Sequence, residues 1–263
     1  MSTRPLWPRF IPIALAVFLA TAAVTLFQNC AKGLPDAATS DALSTAPPSD
    51  GTTPEFPGLS CKQILASDPN SPSGVYFIDP DGAGIGLSAF QAYCDMSTDG
   101  GGWMLVARNN QTTTFTNFDK VWAVYKDGFG DLSGPTSFGW LGNDRLHAMT
   151  LNGTELKVAN NVRTHLYANF KIDSEANLYR LSVASTATSN DNGVFAGMTG
   201  TPFSTSDRDN DTYTSNCAVT YKTGWWHSAC YYLSLAGSAS NNVYWRGPTG
   251  AVQNVTWIEM WIR

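Results

Sequence analysis

The chain from residue 59 onward alternates short apolar runs with clusters of turn residues. The runs are rich in β-branched and aromatic residues, which is typical of β-strands. We predict one short helix over 143–149 and strands over 74–78, 90–96, 103–107, 155–158, 168–172, 179–183 and 255–262. This pattern predicts a single α+β domain with a mostly antiparallel, twisted sheet, short helices and long ordered loops.

The last predicted strand carries apolar side chains on both faces. Val255, Trp257 and Trp261 share one face, and Ile258 and Met260 lie on the other. A strand that is apolar on both faces is expected between two neighbours in the interior of a sheet.

Two turns contain residues with special backbone properties. Residues 79–82, Asp-Pro-Asp-Gly, end the first predicted strand, and three glycines at 100–102 permit a tight bend. The glycine-containing segment 82–86 has the composition of a phosphate-binding loop. Its spacing does not match the motif, and no helix is predicted after it.

Residues 1–30 have the layout of an export signal, because Arg4 and Arg9 precede an apolar run over 11–27. Cys30 follows this run at the place where bacterial lipoproteins are lipidated, although the residues before it are not the usual small ones. The alternative is an uncleaved anchor, for which the run is at the short end of the roughly 17 to 25 residues required. Both alternatives predict a membrane tether through the N-terminus and an extracytoplasmic location, at the cell envelope or outer surface, or secreted.

Residues 31–58 consist mainly of Ala, Ser, Thr, Pro, Gly and Asp. Because they offer little apolar surface to bury, we predict a flexible tether. Neither a collagen-like repeat nor a heptad pattern occurs in them, so the sequence leaves the oligomeric state undetermined. The folded domain is assigned to 59–263.

The composition is that of a folded, acidic protein, with 43% hydrophobic residues, 14% charged residues and a net charge of −5. A negative surface does not attract phosphates or anionic lipids, which argues against a nucleic-acid partner.

Five cysteines are present, and setting Cys30 aside leaves an even four: Cys61, Cys94, Cys217 and Cys230. An even number in an exported chain favours disulfides. Three pairings are possible, of which the pairing of sequence neighbours is the simplest. A zinc site is the less favoured alternative, because no C-x-x-C spacing occurs and the three histidines stand apart.

The segment 203–230, FSTSDRDNDTYTSNCAVTYKTGWWHSAC, combines several acids with two cysteines and a Trp-Trp pair. Alternating acids on a loop offer the hard oxygen ligands that Ca²⁺ prefers. The spacing is not that of an EF-hand, because Thr212 and Ala218 stand where glycine and glutamate are needed if Asp207 is position 1. The alternative is a solvated turn in which Asp and Asn cap their own backbone.

Several blocks of the chain, in order, resemble the fibrinogen C-terminal domains of ficolins and tachylectins. They are SGVYFIDPDG, YCDMSTDGGGWMLVAR, GFG, WLGNDRLHAMT, YANFKIDSE, FSTSDRDND, NCA, GWW and EMWIR. The resemblance covers roughly 59–263. It implies the disulfides Cys61–Cys94 and Cys217–Cys230.

The resemblance also implies a calcium site. Its ligands would be the carboxylates of Asp209 and Asp211 and the main-chain carbonyls of Tyr213 and Ser215. The ion would order the loop beside a ligand pocket and would not activate water.

A ligand-binding pocket is implied next to the second disulfide, at Tyr221, Ala229, Cys230, Tyr231 and Tyr244. Tyr231 stands where relatives that bind acetyl groups have histidine, which puts acetyl-group specificity in question. Relatives hold the peptide bond that corresponds to Ala229–Cys230 in the cis form. The Trp225–Trp226 pair could offer further flat surfaces for sugars, but we expect at least one of the two rings to be structural.

We therefore predict a calcium-stabilised, lectin-like binding module, not an enzyme, that recognises glycans or acetylated groups on a cell or matrix surface. The alternatives are a protein-binding adhesin and a structural envelope lipoprotein. A glycan-cleaving enzyme is a remote alternative, since Glu155, Asp173 and Glu175 are carboxylates without a recognisable catalytic arrangement.

Overall fold

The computed structural model describes residues 49–82, 84–110, 117–186, 195–230, 233–235, 243–246 and 252–263. Within them, the α-helices are α1 (Cys61–Ser67), α2 (Trp122–Asp127), α3 (Asn143–Thr150) and α4 (Cys217–Tyr221). The strands of the first half are β1 (Gly74–Ile78), β2 (Phe90–Asp95), β3 (Trp103–Asn110), β4 (Phe129–Asp131), β5 (Phe138–Trp140) and β6 (Thr154–Asn160). Those of the second half are β7 (Thr164–Ile172), β8 (Leu181–Ser185), β9 (Leu233–Ser234), β10 (Val243–Arg246), β11 (Val252–Val255) and β12 (Trp257–Ile262).

The main sheet has the strand order β1-β2-β3-β12-β6-β7-β8, and β5 joins it beside β3 with β4 beyond. Every strand pair within it is antiparallel. The strands β11, β10 and β9 form a second, smaller sheet. The predicted α+β fold with a mostly antiparallel sheet is confirmed, and β12 is the expected interior strand, between β3 and β6.

Two strand predictions were wrong in placement, whereas the others overlap observed strands and differ from them at most in length. The predicted strand 255–262 is two strands, because Val255 ends β11 in the small sheet and β12 begins at Trp257 in the main sheet. The predicted strand 179–183 begins only at Leu181. Leu178 and Tyr179 have φ angles of 59° and 47°, a left-handed conformation that bends the chain immediately before β8.

The Cys61–Cys94 disulfide, confirmed here, fastens α1 to β2, with a Cα–Cα distance of 5.5 Å. Ser60 begins the helix, since its side chain accepts a hydrogen bond from the Gln63 N–H. The predicted glycine bend follows β2. A Cβ on Gly101 would lie 2.1 Å from a main-chain oxygen, so only glycine fits there.

The last ten residues of the predicted tether, 49–58, pack against the domain where the structure describes them. The Phe77 N–H donates to the Gly51 carbonyl at 2.7 Å, and Gly58 forms a parallel bridge with Ile78. The folded region therefore starts before residue 59. Main-chain hydrogen bonds do not depend on apolar side chains, and for this reason composition alone did not reveal the contact.

The core next to the acidic segment is aromatic. Its large rings are almost fully buried and contact one another edge to face or tilted, at Tyr125, Trp140, Phe203, Trp225 and Trp226. Burial of such rings stabilises the fold by about 1.5 to 3 kcal/mol each. The acidic segment is thus attached to a rigid base.

Candidate functional site

The acidic segment forms a surface loop over residues 203–216, which we call the acidic loop. Two asparagines close it internally. The Asn210 side-chain N–H donates to the Phe203 carbonyl at 2.7 Å, and that of Asn216 donates to the Thr205 carbonyl at 3.0 Å. Each asparagine ties a late part of the loop to its beginning, so the loop has a defined shape without any ligand.

The first half of the acidic loop is fastened to α2. Asp207 Oδ1 accepts hydrogen bonds from the Trp122 main-chain N–H at 2.8 Å and from the Thr205 hydroxyl at 2.7 Å. The Arg208 guanidinium lies 4.0 Å above the Trp122 ring and 3.8 Å from the Glu175 carboxylate. Asp207 and Arg208 therefore position the loop, a role that the sequence did not indicate.

The second half is fastened beside the second disulfide. Both the N–H and the hydroxyl of Thr212 donate to the Ser228 carbonyl, each at 2.9 Å. Helix α4, which Asn216 caps, begins at Cys217. The Cys217–Cys230 disulfide, confirmed here, has a Cα–Cα distance of 5.2 Å. It closes the covalent ring that carries the predicted pocket.

Asp209 and Asp211 lie next to each other on this loop. Asp211 accepts hydrogen bonds from the main-chain N–H groups of Tyr213 and Cys217, both at 2.8 Å. Asp209 Oδ1 accepts the Asp211 N–H at 3.3 Å. Burial raises the pKa of Asp211, and the charge on Asp209 raises it further. Two adjacent carboxylates of this kind attract a cation.

The described residues fit calcium at this point. None of their lysines or arginines forms an ion pair with Asp209 or Asp211. The carbonyls of Tyr213 and Ser215 accept no hydrogen bond from the described residues and so retain lone pairs. No group of three or more His, Cys, Asp or Glu side chains converges within these ranges. The ligand set would therefore be two carboxylates, carbonyls and water, all hard oxygens.

The predicted pocket residues are placed only in part. Tyr221 is half-buried at the end of α4, Ala229 is exposed and Cys230 is half-buried. The Cys217–Cys230 disulfide and the hydrogen bond from the Cys217 N–H to Asp211 connect Cys230 with the acidic loop, and Tyr221 ends the helix that begins at Cys217. Tyr231 and the side chain of Tyr244 lie outside the described part of the chain.

His227 lies beneath this edge, 3% exposed, with its ring centroid 6.3 Å from that of Tyr221. Its Nε2 is 3.0 Å from the Thr223 carbonyl, which assigns the ring proton to this nitrogen. Burial lowers the pKa of His227 to about 4, so the ring is neutral at ordinary pH. In the sequence, His227 was only a solitary histidine.

One expectation about the pocket was wrong, and the expectation that at least one ring of the Trp225–Trp226 pair is structural is confirmed. The described residues contain no cis peptide bond, so Ala229–Cys230 is trans, and the chain bends instead through a φ of 75° at Cys230. Trp225 and Trp226 are both buried, at 1% and 0% exposure, and cannot stack on a sugar. The Trp226 N–H donates to the Tyr179 carbonyl at 2.8 Å, which makes this ring part of the core.

A disulfide-braced antiparallel domain with an oxygen-rich surface loop defines a binding module. Residues 58–263 match the family model "Fibrinogen beta and gamma chains, C-terminal globular domain", and the chain belongs to this family.

Named relatives agree. The chain is 36% identical over 235 residues to "Fibrinogen-like protein A" of Apostichopus parvimensis, covering 80% of this chain and 77% of the relative. It is 36% identical over 218 residues to "Techylectin-5A" of Tachypleus tridentatus, covering 77% and 73%. The fibrinogen-like globe domain of human ANGPTL6 has a TM-score of 0.65 and 29% identity, covering 81% of this chain and 97% of that one.

The relatives are extracellular recognition modules without enzymatic activity, so the chain is a binding module and the glycan-cleaving alternative is wrong. Its carboxylates have other partners: Glu155 pairs with Arg263 at 2.9 Å, and Glu175 pairs with Lys126. None of the helices in the described ranges has the length and apolarity of a membrane span, and the predicted export signal lies outside those ranges.

Proposed function

We propose that this protein is a calcium-stabilised, lectin-like module that binds glycans or acetylated groups through the edge formed by the acidic loop and the Cys217–Cys230 ring. The observation that carries the proposal is the pair Asp209 and Asp211. Their carboxylates adjoin each other without a described cationic partner, on a loop that leads directly into the pocket.

A bound ion acts on the pocket through short connections. Calcium would neutralise Asp209 and Asp211 and restrain the loop. The two Thr212 hydrogen bonds pass this restraint to Ser228, which precedes the pocket residues Ala229 and Cys230. A pocket ordered before the ligand arrives loses less entropy on binding, so its affinity is higher.

Tyr221 gives this edge an aromatic surface with a hydroxyl at its tip, which suits a sugar ring or an acetyl methyl group. The similarity to Techylectin-5A, a lectin by its name, supports a sugar as the ligand. Single sugar sites bind weakly, so adhesion would require many tethered copies on one surface.

A glycan array with and without a calcium chelator tests the proposal. We expect sugar signals that disappear with chelator and fall at least tenfold in Asp209→Asn, because the loop loses one ligand of the ion. Tyr221→Phe separates the pocket from the ion: it should weaken sugar binding and leave calcium uptake unchanged. Asp131→Asn is the control. This exposed carboxylate accepts hydrogen bonds from the main-chain N–H and the hydroxyl of Ser133, within its own turn.

A protein ligand is the second candidate. Tyr213 in the acidic loop and Val219 in α4 are 53% and 45% exposed, which gives this edge apolar surface beyond what one sugar needs. A silent array together with a calcium-dependent complex with a purified polypeptide would favour this candidate. If neither the glycan array nor the polypeptide binding screen changes when the chelator is added, both candidate functions are contradicted.

We further propose an extracytoplasmic location with a membrane tether at Cys30 or through residues 11–27. The family relationship supports exposure outside the cytoplasm. Intact mass of the mature protein distinguishes the alternatives. A lipid-modified chain starts at Cys30, whereas an anchored chain retains residues 11–27.

A further inference from the structure

The chain turns back after β1 through residues 79–82 and 84–87, which we call the β1 turn. Its first residue, Asp79, has only 2% of its surface exposed, whereas Asp81 is exposed. The Asp79 N–H donates to the Gly58 carbonyl at 2.9 Å. The main chain therefore holds the Asp79 carboxylate inside the protein.

The buried Asp79 carboxylate approaches the main-chain N–H groups of Asp81 and Gly82 but has no cationic partner among the described residues. Its Oδ1 is enclosed and accepts no hydrogen bond from the described residues. Burial raises the pKa of Asp79, and the adjacent Asp81 carboxylate raises it further. An unpaired buried carboxylate is unfavourable by several kcal/mol, so this position requires either a proton or a cation.

The β1 turn lies tightly against the second carboxylate. Asp81 Oδ2 accepts the Leu87 N–H at 3.2 Å, and a Cβ on Gly86 would lie only 1.8 Å from the same oxygen. Gly82 and Gly84 have φ angles of 91° and 82°, which side-chain-bearing residues rarely adopt. The main chain at Gly86 and Leu87 thus lies close to the Asp81 carboxylate.

We propose that Asp79 and Asp81 bind a calcium ion at the β1 turn, with main-chain carbonyls of the turn and water completing the coordination. Carboxylates and carbonyls are hard oxygens, which suit Ca²⁺ and not Zn²⁺. Calcium accepts an irregular set of such ligands, whereas Mg²⁺ requires near-ideal octahedral geometry. This site is separate from the acidic loop and does not depend on the proposed function.

The ion would act on the start of the domain. Asp79 is hydrogen-bonded to Gly58, and Gly58 pairs with Ile78. Neutralising Asp79 would stabilise the place where the chain from the N-terminal segment joins β1. With two carboxylates, one of them exposed, the dissociation constant should be about 0.1 to 1 mM, as in other extracellular modules.

Calcium titration by calorimetry on the full chain, with both disulfides intact, tests the proposal. The background variant Asp209→Asn with Asp211→Asn removes the acidic-loop carboxylates. We expect it to retain one calcium site, and we expect the addition of Asp81→Asn to lower that affinity at least tenfold. Asp68→Asn in the same background is the matched control. Asp68 precedes a proline, as Asp79 does, and is exposed, as Asp81 is. It accepts the Asn70 N–H, but it has no second carboxylate beside it.

Thermal unfolding of the same variants is the second measurement. Calcium at about 5 mM should raise the Tm of the background variant by a few degrees, and Asp81→Asn should abolish the rise. Calcium-independent Tm together with no calcium uptake in the background variant overturns the proposal. So does a calcium-induced rise in Tm that is equally large in the background variant with and without Asp81→Asn, because the ion then does not act through this turn. If the acidic loop binds no calcium, the unchanged protein and the background variant take up calcium equally. That result would contradict the proposed function and leave the site at the β1 turn supported.

Discussion

The acidic loop and the β1 turn both carry an Asp-x-Asp motif, yet the structure treats the two motifs differently. In the acidic loop, Asp209 is exposed and Asp211 is half-buried, and main-chain N–H groups donate to both. In the β1 turn, the first aspartate, Asp79, is buried and one of its oxygens has no donor among the described residues. Equal spacing in sequence therefore does not mean equal electrostatics.

The difference comes from what anchors each motif. The acidic loop is anchored by the Cys217–Cys230 disulfide and by a hydrogen bond to α2, and neither contact requires the carboxylates of Asp209 and Asp211 to be buried. At the β1 turn, the Asp79 N–H donates to the Gly58 carbonyl and the Asp79 side chain is buried. An ion at the acidic loop would mainly order a surface, whereas an ion at the β1 turn would mainly neutralise a buried charge.

Removing the disulfides should have the largest effect on this comparison. Cys217→Ser with Cys230→Ser opens a link of sequence separation 13, which predicts a loss of about 3 kcal/mol in the free energy of unfolding. Cys61→Ser with Cys94→Ser opens one of separation 33, with a predicted loss of about 4 kcal/mol. Urea unfolding measures both. Only the first pair should also weaken calcium binding at the acidic loop; equal weakening by both pairs would contradict separate anchoring.

Acid should destabilise the acidic-loop side through His227. The pKa of this buried ring is lowered to about 4, below its value in the unfolded chain. The unfolded state therefore binds the extra proton first, and stability that is present above about pH 6.5 is lost as the pH falls towards 4. The loss should be on the order of 2 to 3 kcal/mol. His227→Gln should flatten the dependence of unfolding on pH between 6.5 and 4; an unchanged slope would contradict the assignment.

Asn216→Ala tests how the loop and α4 share one residue. The side chain caps the helix and also donates to Thr205, so we expect a loss of about 1 to 2 kcal/mol and weaker calcium binding at the acidic loop. Thermal unfolding and calcium titration measure the two effects. Asn70→Ala, in an exposed turn, is the control and should change neither. Loss of stability without any change in calcium binding would show that the cap alone matters.

Gly86→Ala compared with Gly84→Ala gives the smallest and most local test. Both glycines have positive φ angles, 62° and 82°, so each substitution should destabilise by about 1 kcal/mol. A Cβ on Gly86 meets the Asp81 carboxylate, whereas one on Gly84 meets nothing within 4 Å. Only Gly86→Ala should therefore reduce calcium affinity at the β1 turn, by severalfold. Equal affinity in the two variants would place the ion elsewhere.

Much of the fold could be predicted from local pattern. The strand over 74–78 has the bounds that the structure gives to β1, and the helix over 143–149 differs from α3 by one residue. Short elements such as α2 and β4 were not predicted. Their few residues carry too little periodicity, and contacts with distant parts of the chain stabilise them.

The candidate site likewise contains some residues that the sequence indicated and others that it did not. Asp209 and Asp211 were predicted as calcium ligands because closely spaced acids before a cysteine matched a resemblance to known domains. Asp207 belongs to the same run of acids but accepts a hydrogen bond from the main-chain N–H of Trp122, which is 85 residues away in sequence. No local pattern distinguishes a ligand of an ion from a residue that holds the loop in place.

The sequence by itself determined the family, the disulfide-braced antiparallel domain and the oxygen-rich character of the acidic loop, because these depend on residue types and their spacing. Only the tertiary structure decided that Trp225 and Trp226 belong to the core and that Oδ1 of Asp79 is buried with no donor among the described residues. Burial and hydrogen-bond partners come from chain segments that are distant in sequence. They exist only after folding has brought those segments together.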